Sequence, residues 1–166
     1  MAPISIRESL RAEDARIEAL LERAIAAASG GGEAGARLVW DGFAAALRAR
    51  IDAEDAGIVS LLPYERSVRI LSHEHRYLRG RLVELGDDGA RAGRPGVLEE
   101  LRDILRAHAR NDDQLLYRWA EDELDPEQRA RTLEAISARL AQIEAVEASS
   151  DSIVATNSAT FTGFVR

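Results

Sequence analysis

Apolar residues recur along most of this chain in alternating steps of three and four, the spacing of one buried helix face. One segment carries Trp40, Phe43, Leu47, then Arg50, Glu54, Gly57 and Leu61. Another carries Val68, Leu71, His75, Leu78, Leu82 and Leu85. A third carries Leu98, Leu101, Leu105, His108, Asp112, Leu115 and Trp119, and the N-terminal one Leu10, Asp14, Ile17, Leu21 and Ala24. Glycine and proline punctuate the pattern at 30–32, at Pro63, through GDDGARAGRPG at 86–96, and at Asp125-Pro126. The spacing predicts helices over about 5–29, 34–62, 64–86, 96–122 and 126–148. Ser5 with Glu8 reads as a capping box, and Asp125 before Pro126 as an N-cap followed by proline in the first turn.

Each stripe breaks near its middle, at Asp14, Arg50, Glu54, His75, His108 and Asp112. Short loops force successive helices to run antiparallel, which allows the levels to be compared. Glu54 and Arg50 lie about 9 and 13 residues before Pro63, and His75 about 12 beyond it, so at ~1.5 Å per residue they share a layer. His75 and His108 are equidistant from the loop near residue 91. All six polar residues therefore meet in one slab across the core. An unpaired buried charge costs several kcal/mol, so these residues must pair with one another, bind a metal or line a wet cavity. Glu54, His75, His108 and Asp112 form a nitrogen and oxygen ligand set suited to iron, manganese or zinc.

Composition narrows the chemistry further. The 166 residues suit one domain, read as a helical bundle over 1–148 and a Ser/Thr-rich tail over 149–166. The formal charge of −7, with acids and bases interleaved, argues against nucleic acid. The absence of cysteine removes disulfides, thiolate metal sites and cysteine nucleophiles. No apolar run approaches the roughly 18 residues of a membrane span. MAPISIRESL lacks the order of a signal peptide, so a soluble cytoplasmic protein is expected, without membrane partners. His73, Asp55 and Asp113 are read as outward-facing, the two acids as reserve ligands only if the register is off by one. Tyr117, Trp40 and Trp119 are read as core, with the Tyr117 hydroxyl able to reach a bound ligand. No phosphate-binding glycine loop, Ser-His-acid set or zinc-protease motif is present.

EDARIEALLERA (13–24), LRARIDAEDAGIVSLL (47–62), HEHRYLRGRLVEL (73–85) and LRAHARNDDQLLYRWA (105–120) resemble the hemerythrin-like HHE cation-binding domains. The resemblance covers about residues 8–122. It implies an all-α, antiparallel up-down four-helix bundle, here with an additional C-terminal helix and tail. Typical members hold two carboxylate-bridged non-haem irons that bind dioxygen or sense oxygen, iron or nitric oxide. By the resemblance, Glu54 and Asp112 stand at the bridging carboxylates, and His75 and His108 at terminal ligands of one iron. Asp14 and Arg50 stand where the other iron's histidines are expected. Arginine cannot ligate a metal, but its planar fork can pair with two carboxylates. A salt bridge of Arg50 with Asp14, Glu54 or both is therefore expected in place of the missing iron. Three readings stay open: one metal on the remaining four ligands, a metal-free polar core in a regulatory or protein-interaction module, or two metals with unusual ligands. A binding or sensing role is expected ahead of an enzymatic one.

Overall fold

The computed structural model describes residues 5–30, 33–87, 94–138, 140 and 141, and these are all helix, turn and connection without a strand. The predicted tail over 149–166 lies outside the described residues. The elements are α1 (Ile6–Ser29), α2 (Glu33–Gly57), a 3₁₀ turn (Val59–Leu61), α3 (Glu65–Asp87) and α4 (Pro95–Asp112). A π-helical turn (Asp113–Tyr117) carries α4 on into α5 (Arg118–Glu123), and α6 covers 126–138.

Local chemistry explains the ends. Ser5 and Glu8 form the expected reciprocal capping box on α1. Asp125 and Gln128 do the same for α6, with Oδ1 accepting from the Gln128 amide at 2.8 Å and Oε1 accepting from the Asp125 amide at 2.9 Å. Leu62 is extended because Pro63 follows it, which stops the 3₁₀ turn. Pro95 opens α4, where a missing amide proton costs nothing.

Packing divides the interior into two apolar clusters. One gathers Ile17, Leu21, Phe43, Leu47, Leu78 and Leu101 with their neighbours. The other gathers Ile6, Leu10, Ile58, Leu71, Leu116 and Ile136, so α6 closes that end. Along every long helix the polar break falls between the two: Asp14 between Leu10 and Ile17, Glu54 between Ile51 and Ile58, His75 between Leu71 and Leu78. The slab is thus a polar layer between two apolar caps.

Two stripes depart from expectation. α2 was expected to run to 62 but ends at Gly57, so Ile58, Val59 and Leu62 are buried and Leu61 is exposed. Helix 96–122 was expected to be regular, but the π turn inserts one residue after Asp112. Leu116, Tyr117 and Ala120 are consequently buried, while Leu115 and Trp119 are only half-buried.

Candidate metal centre

α2, α3 and α4 bring Glu54, His75, His108 and Asp112 together, one ligand atom from each lying within 4.8 Å of all the others. All four residues are buried. Ligand atoms on opposite sides of a first-row ion stand up to about 4.4 Å apart, so the group fits one ion after a small inward movement. His108 and Asp112 are one turn apart on α4, with Nε2 3.1 Å from Oδ2. His75 reaches across from α3, its Nε2 3.5 Å from Glu54 Oε2 and without a hydrogen bond. The two rings meet edge to face with centroids 5.1 Å apart.

Each imidazole is held from behind. Asp55 Oδ1 takes His75 Nδ1 at 2.6 Å, and Asp55 is itself fixed by Arg79 at 2.7 Å. Glu74 Oε2 takes His108 Nδ1 at 2.9 Å, with Asn111 donating to the other oxygen at 2.6 Å. A carboxylate on Nδ1 fixes the ring and leaves Nε2 directed at the shared centre, as metal-binding histidines require. Asp55 was expected to be a solvated acid; it is instead the support of His75. Glu74 was missed altogether, and the available signal was its place beside His75 at the level of His108.

Arg50 occupies the remainder of the slab and is 2 % exposed. Its Nη1 lies 2.5 Å from Glu54 Oε1, and its Nη2 donates to Asp14 Oδ1 at 3.0 Å. The guanidinium therefore joins both carboxylates. Nη2 also donates to the Tyr117 hydroxyl, which lies 3.0 Å from Glu54 Oε1 and 3.1 Å from Asp14 Oδ2. The single hydroxyl proton serves one of those acids at a time. Tyr117 reaches this position because the π turn rotates it inward, so its role is polar as well as packing.

Electrostatics follow from this geometry. Burial pushes Glu54 up, but Arg50 and the histidines overcome it and hold the carboxyl at about 2. Burial pulls His75 down, yet its hydrogen bond with Asp55 and the nearby negative charge of Glu54 raise it to about 9. Burial, reinforced by the Glu54 charge, lifts Asp112 well above the usual carboxylate range. Asp14 is raised mainly by burial, against the pull of Arg50. Glu54 Oε2, His75 Nε2 and Asp112 Oδ1 are buried without hydrogen-bond partners. Such atoms are uncommon in native interiors and point to something further at the centre, a proton or an ion.

The other expected positions are simply placed. His73 is exposed, and Asp113 faces outward, chelated by Arg7 and Arg11 with contacts of 2.8 Å each. No described helix is long and apolar enough to cross a membrane. A cleft of about 460 Å³ opens along the α1–α4 seam and ends on Arg50, Glu54 and His108. Comparison with known proteins finds no matching family, no matching curated protein and no matching solved structure. The functional reading therefore rests on the residues, their geometry and the resemblance in sequence described above.

Proposed function

We propose that the chain is a hemerythrin-like four-helix bundle with an additional C-terminal helix, retaining half of a two-iron centre. One ion is held by Glu54, His75, His108 and Asp112, with Arg50 in the space of the second. The observation that carries this reading is the set of three buried ligand atoms without partners, on a group whose histidines are both held through Nδ1 by carboxylates. Iron is the ion that the resemblance to hemerythrin-like domains implies; manganese and zinc suit the same nitrogen and oxygen donors. Bound iron would supply one-electron chemistry and an open position, which suits binding or sensing of dioxygen or another diatomic molecule. The protein's own contribution is to orient both rings, flank the centre with two apolar caps, and place one fixed positive charge beside Glu54. That charge disfavours a second cation, so one equivalent is expected.

One observation favours a metal-free core. Arg50 already joins Glu54 and Asp14, and His75, raised to about 9, carries a proton where an ion would sit. Elemental analysis separates the two readings. Protein purified without added metal, then loaded with ferrous iron or zinc and desalted, should retain about one equivalent. At a hundredfold excess over Kd the folded state should gain about 2.7 kcal/mol. His75→Ala and His108→Ala should abolish retention, and His73→Ala should not. Protein that retains no metal and shows an unchanged thermal midpoint refutes the metal reading and leaves the salt-bridged interaction module.

A further inference from the structure

The α1–α4 seam is laced by a regular ladder with one rung missing. Glu22 pairs with Arg102 at 3.2 Å, and one turn on Glu18 pairs with Arg106, Nε to Oε1 being 2.6 Å. The helices run antiparallel, so the next rung along the same faces joins Asp14 to Arg110. Asp14 has turned inward to Arg50 instead. Arg110 is left exposed on the rim of the cleft, with no ion pair or hydrogen bond among the described residues. The rim acids are taken, Glu18 by Arg106 and Asp113 by Arg7 and Arg11. Among the described residues, the uncommitted charge at the mouth is that of Arg110 and is positive.

Behind this rim one wall of the cleft is apolar, made by Ile17, Leu21, Leu47, Ile51 and Leu105, while its deep end carries Arg50, Glu54 and His108. Its volume of about 460 Å³ falls in the range of sites for small organic molecules and far exceeds the needs of a diatomic. It runs from Arg11 to Leu21 on α1, ten residues or roughly 15 Å of helix. We infer that the cleft binds a small carboxylate with an apolar body, its headgroup on Arg110 and its body along the α1–α4 seam against Ile17, Leu21, Leu47 and Leu105. A monoanion is favoured over a phosphate because the single guanidinium of Arg110 balances one negative charge and not two. The guanidinium fork matches a carboxylate. The inference rests on the cleft and meets the metal reading only at the deep end.

Titration calorimetry on the metal-free 166-residue chain tests it, with octanoate, 1-octanol, octylammonium and acetate as probes. Octanoate should saturate at one per chain, and each of the other three should bind at least about tenfold more weakly. Arg110→Gln should weaken octanoate about tenfold while leaving octanol unchanged, and the remote Arg69→Gln should change neither. Absence of saturable octanoate binding, octylammonium binding as tightly as octanoate, or an Arg110→Gln variant that binds octanoate like the parent would each overturn the inference. Metal retention is measured on a second portion of each preparation after loading with ferrous iron or zinc and desalting. Loss of metal retention with intact octanoate binding refutes the metal centre alone, and the converse refutes the carboxylate site alone.

Discussion

Replacing Arg50 with methionine isolates the charge that organises the slab. Methionine keeps the unbranched stem and removes the guanidinium. The Arg50 side chain is 3 % exposed and that of Glu54 1 %, so solvent cannot take over the lost contact. Removing one partner of a buried ion pair costs about 3–5 kcal/mol, because the other charge is left uncompensated. The same range corresponds to Glu54 rising by roughly two to four pKa units at about 1.4 kcal/mol each. The direction of that rise follows from the site: burial already pushes Glu54 up, and Arg50 is the largest influence holding it near 2. Urea unfolding followed by far-ultraviolet circular dichroism at pH 7 in EDTA measures the loss. In a Glu54→Gln background the same substitution should cost about 2 kcal/mol less, since the carboxylate it compensates is gone. In zinc-loaded protein the loss should also shrink, because the ion supplies positive charge to Glu54. A metal-free Arg50→Met variant within about 1 kcal/mol of the parent would refute the argument that the guanidinium neutralises the slab. An equal loss in both backgrounds would show that its effect does not pass through Glu54.

Two further outcomes bear on the centre. Arg50→His with Asp14→His restores two imidazoles in place of the salt bridge and should raise retained iron from about one equivalent toward two; a folded double variant that gains no metal would break the compensation argument. His75 should titrate near pH 9 by nuclear magnetic resonance in metal-free protein, against 6.5 for the free side chain. Its folded value lies above its unfolded one, so its contribution of about 3 kcal/mol is complete below pH 6.5 and lost as pH rises through 9. A ring titrating below pH 7 would mean that Asp55 and Glu54 do not hold its proton.

The polar slab was legible because burial of charge is costly. A leucine stripe that suddenly carries Arg50 and Glu54 can be explained only by partners at the same level, and counting residues from Pro63 finds them. Asp55 and Glu74 were not legible by that route. Each lies next to a stripe residue on its own helix, so periodicity alone sends it to solvent. Each in fact serves a histidine on a neighbouring helix, Asp55 serving His75 and Glu74 serving His108. Helical phase describes one helix at a time, and support of this kind is a property of the seam between two. The broken rung at Arg110 is the same kind of feature, visible only once α1 and α4 are aligned against each other.

Tyr117 was half-read for a different reason, which itself can be tested. Regular phase from Asp112 leads to Leu115 and Trp119, yet the buried residues are Leu116, Tyr117 and Ala120. The π turn at Asp113–Tyr117 absorbs one extra residue and advances everything after Asp112 by one position. Asp113 stays outside because the slip begins at its own position, and so it never competes with Asp112 for the centre. Deleting Gln114, an exposed residue within the turn, should restore the α-helical spacing. Residues 116, 117 and 120 would then fall three, four and seven positions after Asp112, the phase of a regular stripe. The deletion variant should fold with Tyr117 still buried and its midpoint within a few degrees of the parent. Deleting Ala107, equally exposed but inside the regular part of α4, should instead turn His108 and Asp112 about 100° out of the slab and abolish metal retention. Equal loss of structure in the two deletion variants would show that the turn is not a one-residue insertion. If it is one, the chain keeps an irregular turn directly beside Asp112 at the one place where a regular helix would present Leu115 to the slab instead of the Tyr117 hydroxyl.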